Sequence, residues 1–141
     1  MMELVLVVLM MVESGGDPNA LGDPRTEGGE TVYKARGAFQ IWEVYWEDGC
    51  RILGREAVGE WSYEKGSMDP EKSKVIVRAY LTHYGKRYTR ITGKPPTFEV
   101  YCRMHNGGPN GFRKRSTRAY WEKAKRWKER IERGKNKKSD R

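Results

Sequence analysis

The chain opens on an apolar run whose spacing predicts a helix, since Val5, Val8, Leu9 and Val12 fall at i, i+3, i+4 and i+7. Leu4, Leu6 and Val7 fill its other sides, so it is expected to be buried. It ends at Ser14-Gly15-Gly16. From Asp17 to Arg36 the chain is rich in Gly, Pro, Asn and Asp, with a β-prone piece at Thr31-Val32-Tyr33, which predicts an irregular segment with a small hairpin. The apolar run resumes at Ala38-Phe39-Gln40-Ile41 and leads into a short helix through Trp42, Tyr45 and Trp46. Asp69 before Pro70 predicts a helix start, with Val77, Tyr80, Leu81 and Tyr84 as its stripe and Gly85 as its stop. Pro95-Pro96-Thr97 begins another helix, running about to His105. Asn106 to Gly111 then forms a tight loop, and Ser116 or Thr117 caps a last helix with Tyr120, Ala124, Trp127 and Ile131 inward. The expected class is α+β, mostly helical, with about five helices and one small β-hairpin.

At 141 residues the expectation is one domain, 1–141, with a basic helix and tail at about 116–141. The net charge of +9 suggests nucleic acid until it is located. Arg113 to Arg141 carry fourteen Lys and Arg against four Asp and Glu, or +10, which leaves about minus one for the rest. The basicity therefore belongs to the C-terminal segment and says little about the remaining surface. Cys50 and Cys102 are too few for a disulfide scaffold and lack metal-ligand spacing. Leu4 to Leu9 is greasy enough for a secretory core, but Glu3 sits within the segment, no basic region precedes it and no small-residue cleavage site follows. It is expected to remain part of the fold, and it is too short to span a bilayer.

Glu13 is the first candidate for chemistry, because a carboxyl at the foot of an apolar helix is shielded from water, and that favours its protonated form. Asp17, Asp23, Glu27 and Glu30 follow in the turn-rich stretch, and glycoside hydrolysis needs a protonated carboxyl beside an ionised one. The plainer reading of Asp17 and Asp23, each before a proline, is turn formation. Gln40 is an amide among apolar residues and needs partners, from the protein or from a sugar. Trp42, Tyr45 and Trp46 are divided between core and platforms for pyranose rings. The string His105-Asn106-Gly107-Gly108-Pro109-Asn110-Gly111 demands a special backbone, and it can present His105 and Asn106 to a polar ligand. No His or Cys lies at ligand spacing from His105, so no metal is expected. The last helix is read either as a solvated basic face or as a surface for anionic polymers.

Glu13-Ser14-Gly15-Gly16, Gly37 to Ile41 followed by Tyr45-Trp46, Tyr80 to Tyr84, and His105 to Gly111 followed by Tyr120-Trp121 stand in a telling order. That order resembles the lysozyme superfamily, and within it the invertebrate-type, destabilase-like lysozymes, over about residues 10 to 125. The resemblance implies a lysozyme-like fold and hydrolysis of β-1,4 linkages between N-acetylmuramic acid and N-acetylglucosamine in peptidoglycan, with Glu13 as proton donor. The family's second acid follows in the hairpin within an Arg-x-Asp-x-Gly string, which Arg25-Thr26-Glu27-Gly28-Gly29 matches with Glu27 in place of the aspartate. Asp23 and Glu30 stay open as alternatives, because this segment is about five residues longer than in typical members. Sugar contacts implied by the resemblance fall on the Trp42 to Asp48 region, with Tyr45 and Trp46, and on Tyr84, His105, Asn106 and Gly107, beside the Gln40 amide already singled out. The ligands expected are peptidoglycan and chitooligosaccharides, with anionic envelope polymers at the basic helix. No cofactor, specific nucleic acid or membrane span is expected, and the state is monomeric. The family's many cysteines are missing, which points to a bacterial or phage-like protein made in the cytoplasm and acting on the wall. The rival readings are a lytic transglycosylase using Glu13 alone and a non-catalytic protein binding envelope or nucleic acid.

Overall fold

The computed structural model describes residues 1–139, with side chains through Asn136. In chain order the described elements are α1 (Met2–Ser14), β1 (Leu21–Glu27), β2 (Glu30–Arg36), α2 (Glu43–Leu53), α3 (Arg55–Val58), α4 (Tyr63–Gly66), α5 (Pro70–Thr92), α6 (Phe98–Gly107) and α7 (Arg118–Ser139). Two 3-10 turns, Gly111–Arg113 and Arg115–Thr117, lie between α6 and α7. The class is α+β and mostly helical, as expected. The helix count among the described residues is seven rather than about five, because two of them are single turns of four residues.

The chain divides into two compact units, Glu13–His83 and Met1–Val12 with the chain from Tyr84 onward. The first holds the hairpin, α2, α3, α4 and the start of α5. β1 and β2 pair antiparallel in one constant register from Leu21 opposite Arg36 to Glu27 opposite Glu30. The connection is Gly28-Gly29, with φ of +58° and +82°. Two positive values make a two-residue turn whose twist matches the flanking strands, and only glycine reaches them without strain. The hairpin is longer than Thr31-Val32-Tyr33 suggested, because its strands are written in Arg, Glu and Thr rather than in alternating apolar residues.

The base of the hairpin is set by close packing. Gly37 has φ +78°, and a Cβ there would stand 1.8 Å from the carbonyl oxygen of Ser67. Ala35, Ala38, Phe39, Ile41, Trp46, Ile76, Val77, Tyr80 and Leu81 are buried in this unit. Gly66 lets the Trp46 ring approach to where a Cβ would meet it at 2.3 Å. The start of α5 is as read: Asp69 Oδ1 accepts from the amides of Glu71 at 2.9 Å and Lys72 at 3.1 Å, and Pro70 needs no partner for an N–H it lacks.

In the second unit, Val5, Leu6, Val8, Leu9, Val100, Cys102, Met104, Tyr120 and Ala124 are buried. α5 does not stop at Gly85. It runs on to Thr92 and ends at Gly93, whose φ of +74° cannot continue a helix. Gly85 serves packing instead, since a Cβ there would sit 3.0 Å from the Tyr101 ring and 3.2 Å from Pro96. Thr97 caps α6, accepting from the Val100 amide at 3.2 Å. Thr117 stands at the start of α7, with its hydroxyl donating to the Gly111 carbonyl at 2.7 Å. Among the described residues, no helix is long and apolar enough to cross a membrane.

Gly37→Ala is expected to destabilise by more than about 2 kcal/mol, since backbone strain and collision act together. Gly28→Ala is expected to cost about 1 kcal/mol, because its turn position is strained but open. Urea denaturation of both variants checks the order.

Candidate active site

Glu13 is half-buried at the last turn of α1, one residue before the helix end. The helix cannot continue, because Gly15 and Gly16 have φ of +66° and +90°. Ser14 fixes this end in place: its hydroxyl donates to the Ala38 carbonyl at 2.7 Å and accepts from the Gly16 amide at 3.1 Å. Two strings that stood out in the sequence, Glu13 to Gly16 and Gly37 to Ile41, are thus hydrogen-bonded to each other.

Tyr45 completes the surroundings of Glu13 on the same unit. Its ring stacks on Tyr80 with centroids 3.7 Å apart and planes 13° from parallel. Burial pushes the Tyr45 hydroxyl well above the usual phenol range, with Tyr80 and then the nearby Glu13 adding to the effect. The phenol therefore stays protonated and remains an O–H donor in the electrostatic field of Glu13. A ring stacked on Tyr80 is a support for the acid more than a platform for sugar.

The hairpin acids are ordered by the pleat. Opposed residues share a face and positions two apart return to it, so Arg25 and Glu27 of β1 lie on one face with Glu30, Val32 and Lys34 of β2. Two of the three candidate partner acids, Glu27 and Glu30, are on that face. Glu27, at the turn and more than half exposed, pairs with the Lys34 ammonium at 2.6 Å. Asp23 takes the left-handed backbone region at φ +51° and pairs with Arg25 at 3.1 Å. Glu30 stands opposite Glu27. The Arg25 guanidinium also lies over the Trp42 ring, 5.9 Å from its centroid.

Gln40 holds the hairpin base. Its amide donates to the carbonyls of Ala20 at 3.2 Å and Gly37 at 3.0 Å, and its own backbone is left-handed at φ +51°. Gly22 is required opposite it, since a Cβ there would meet Gln40 Oε1 at 2.0 Å. The amide nitrogen is therefore spent on protein carbonyls.

Trp46 needs correction as a sugar platform. It is 3% exposed, packed near Trp61 and Tyr63 and against Gly66, with no face for a ligand. Trp42 is the open indole, 41% exposed. It lines a groove of about 410 Å³ beside β2 with Tyr33, Lys34, Arg36, Val44 and Tyr63. Of these, Trp42 was a candidate platform from the sequence, whereas Tyr33, Lys34, Arg36, Val44 and Tyr63 carried no such signal there. The Tyr63 phenol, pushed up to about 12 by burial, bonds to the Ile41 carbonyl at 2.6 Å and shapes the groove wall.

The remaining predicted contacts belong to the second unit. His105 is buried within α6, its ring 6.5 Å from that of Tyr120, and a buried imidazole is part of helix packing rather than an exposed ligand contact. α6 extends through Asn106 and Gly107, so the tight loop begins only at Gly108, with φ +86°. Asn106 is exposed, Tyr84 is half-buried, and the Gly107 carbonyl accepts from Lys114 at 2.6 Å. Asn110 Oδ1 accepts from Arg87 at 3.0 Å and Arg113 at 3.1 Å, which makes the loop a clamp between α5 and the turns before α7. Cys50 and Cys102 are free thiols, both pushed up by burial, Cys102 to about 12. Among the described residues no three His, Cys, Asp or Glu side chains cluster as metal ligands.

Residues 25–127 match the family model described as Destabilase. The chain belongs to the Destabilase family. Glu13 precedes the matched stretch, so its placement rests on the geometry above. A lysozyme of Magallana gigas is 44% identical over 87 residues, which cover 62% of this chain and 56% of that protein. The chain thus spans little more than half the length of this relative. Among solved structures, the lysozyme of Tapes japonica matches with a TM-score of 0.63 and 30% identity over 86% of each chain. The inhibitor-bound lysozyme of Meretrix lusoria matches with a TM-score of 0.62 and 29% identity over 88% of each chain. The lysozyme-like fold is therefore that of this Destabilase chain.

The two tryptophans should separate cleanly on substitution. Trp46→Ala is expected to cost about 3 to 5 kcal/mol of stability by opening a core cavity. Trp42→Ala is expected to cost under about 1 kcal/mol. Thermal unfolding of both variants measures the difference.

Proposed function

We propose that this Destabilase chain is a lysozyme acting on bacterial peptidoglycan as one catalytic domain. The observation that carries the proposal is the Ser14 bond to Ala38, which fixes Glu13 at a helix end beside the protonated Tyr45. Glu13 donates its proton to the glycosidic oxygen between N-acetylmuramic acid and N-acetylglucosamine, and the bond to the muramic anomeric carbon breaks. Glu27, on the acid-bearing hairpin face, stabilises or traps the cationic sugar. Water then adds at the anomeric carbon, and its proton returns to Glu13.

Saccharide rings rest on Trp42 in the groove beside β2. The names of the relatives support the substrate class, and the basic face of α7 favours a polyanionic wall as the working surface. The chain works as a monomer made in the cytoplasm and acting on the wall.

Replacing Glu13 by Gln keeps the shape and removes the proton, so lysis of peptidoglycan is expected to fall at least about 100-fold. Turbidity clearing measures it, and lysis near wild type would sink the mechanism. Asp23→Asn, Glu27→Gln and Glu30→Gln, assayed in parallel, identify the partner acid, with the largest loss expected for Glu27→Gln. Mass spectrometry should find reducing muramic ends. Anhydromuramic ends would reassign the reaction to a lytic transglycosylase.

A further inference from the structure

The second unit holds a pocket of about 290 Å³ lined by Val12 of α1 and by Lys123, Arg126, Trp127 and Arg130 of α7. The four α7 residues fall at i, i+3, i+4 and i+7, so one face of two helical turns, about 10 Å long, carries three cations around an indole. None of the acids of α7 lines it, and Glu132 is held by Lys128 at 2.6 Å. The Arg130 guanidinium lies over the Trp127 ring, 4.9 Å from its centroid. That contact limits the freedom of Arg130 and leaves its planar fork presented before any ligand arrives.

We propose that this pocket binds phosphodiester chains, of the kind that polyol-phosphate polymers attached to bacterial walls provide. The inference rests on the wall as target and is independent of the roles given to Glu13 and Glu27. Three cations converging on one concavity suit a polyanion, and two guanidinium groups match phosphate oxygens bidentately. The cationic face is longer than one phosphate, which favours a chain over a free ion. A nucleic acid would call for an open ring on which bases stack, whereas Trp127 is half-buried and carries Arg130. A lipid surface would call for apolar side chains beside the cations, and the large exposed hydrophobics of the described residues all lie outside α7.

The experiment titrates the full chain with purified poly(glycerol phosphate), and with a single-stranded oligonucleotide of equal charge. Wild type is compared with Arg126→Ala/Arg130→Ala and with Arg115→Ala/Arg118→Ala, which removes the same charge from exposed positions outside the pocket. The pocket variant is expected to bind the polymer at least tenfold more weakly, and the control pair less than threefold. Arg126→Lys/Arg130→Lys, which keeps charge and helix propensity but not the fork, is expected to fall between them. Equal losses in the two alanine pairs would overturn the proposal in favour of net charge, and tighter binding of the oligonucleotide would overturn it in favour of nucleic acid. Lysis of walls stripped of polyol phosphate is expected to be unchanged in the pocket variant. Failure of wild type to lyse those walls would defeat the lysozyme reading and leave the binding result standing.

Discussion

The bond from the Ser14 hydroxyl to the Ala38 carbonyl organises the candidate site, because it ties the end of an apolar helix to the base of a hairpin. Neither partner is special alone. A serine in the last turn of a helix is commonplace, and a backbone carbonyl accepts from any donor. What makes the contact specific is that both ends are geometrically forced. Gly15 and Gly16 turn the chain away after Ser14, and Gly37 passes so close to Ser67 that no side chain is tolerated there. The carboxyl of Glu13 inherits a fixed position from these constraints, which is the condition under which a general acid is effective.

The second constraint is the register of the hairpin. One residue of slip in β1 would carry Glu27 to the face opposite Glu30, because side chains alternate with period two. The Gly28-Gly29 turn prevents that slip from one end, and the Gln40 amide, bonded to Ala20 and Gly37, prevents it from the other. Gln40 contributes by holding the carboxylate-bearing face in register. Its left-handed backbone is strained for a residue with a side chain, and the two amide bonds offset that cost.

Legibility in the sequence followed the physics of each signal. Asp69-Pro70 was legible because a cap and an N1 proline act through local backbone geometry alone. The hairpin length was not, since strands in which only Ala35 is buried lack the apolar alternation that marks a strand. Gly85 misled for a related reason: glycine ends helices, but it also admits neighbours, and only the packing of Tyr101 and Pro96 distinguishes the two uses. Trp46 and Trp42 are four residues apart in one aromatic cluster. Which one is buried depends on Gly66, twenty residues away from Trp46, and no local pattern carries that information.

The string His105 to Gly111 shows why the rarity of a motif is a poor guide to its role. Several of its residues meet a steric or hydrogen-bonding demand within the protein. A Cβ on Gly111 would fall 2.0 Å from the Arg103 carbonyl oxygen, and one on Gly107 would fall 2.5 Å from Thr117. Asn110 receives two guanidinium groups on one oxygen, and Arg103 bonds at once to Thr117, Glu99 and the Lys114 carbonyl. These bonds fix the turns that start α7, and so they set which face of α7 its basic residues occupy. The chemistry they position is carried by Lys123, Arg126 and Arg130, residues common in any basic helix and conspicuous only once their spacing is read against the helical period.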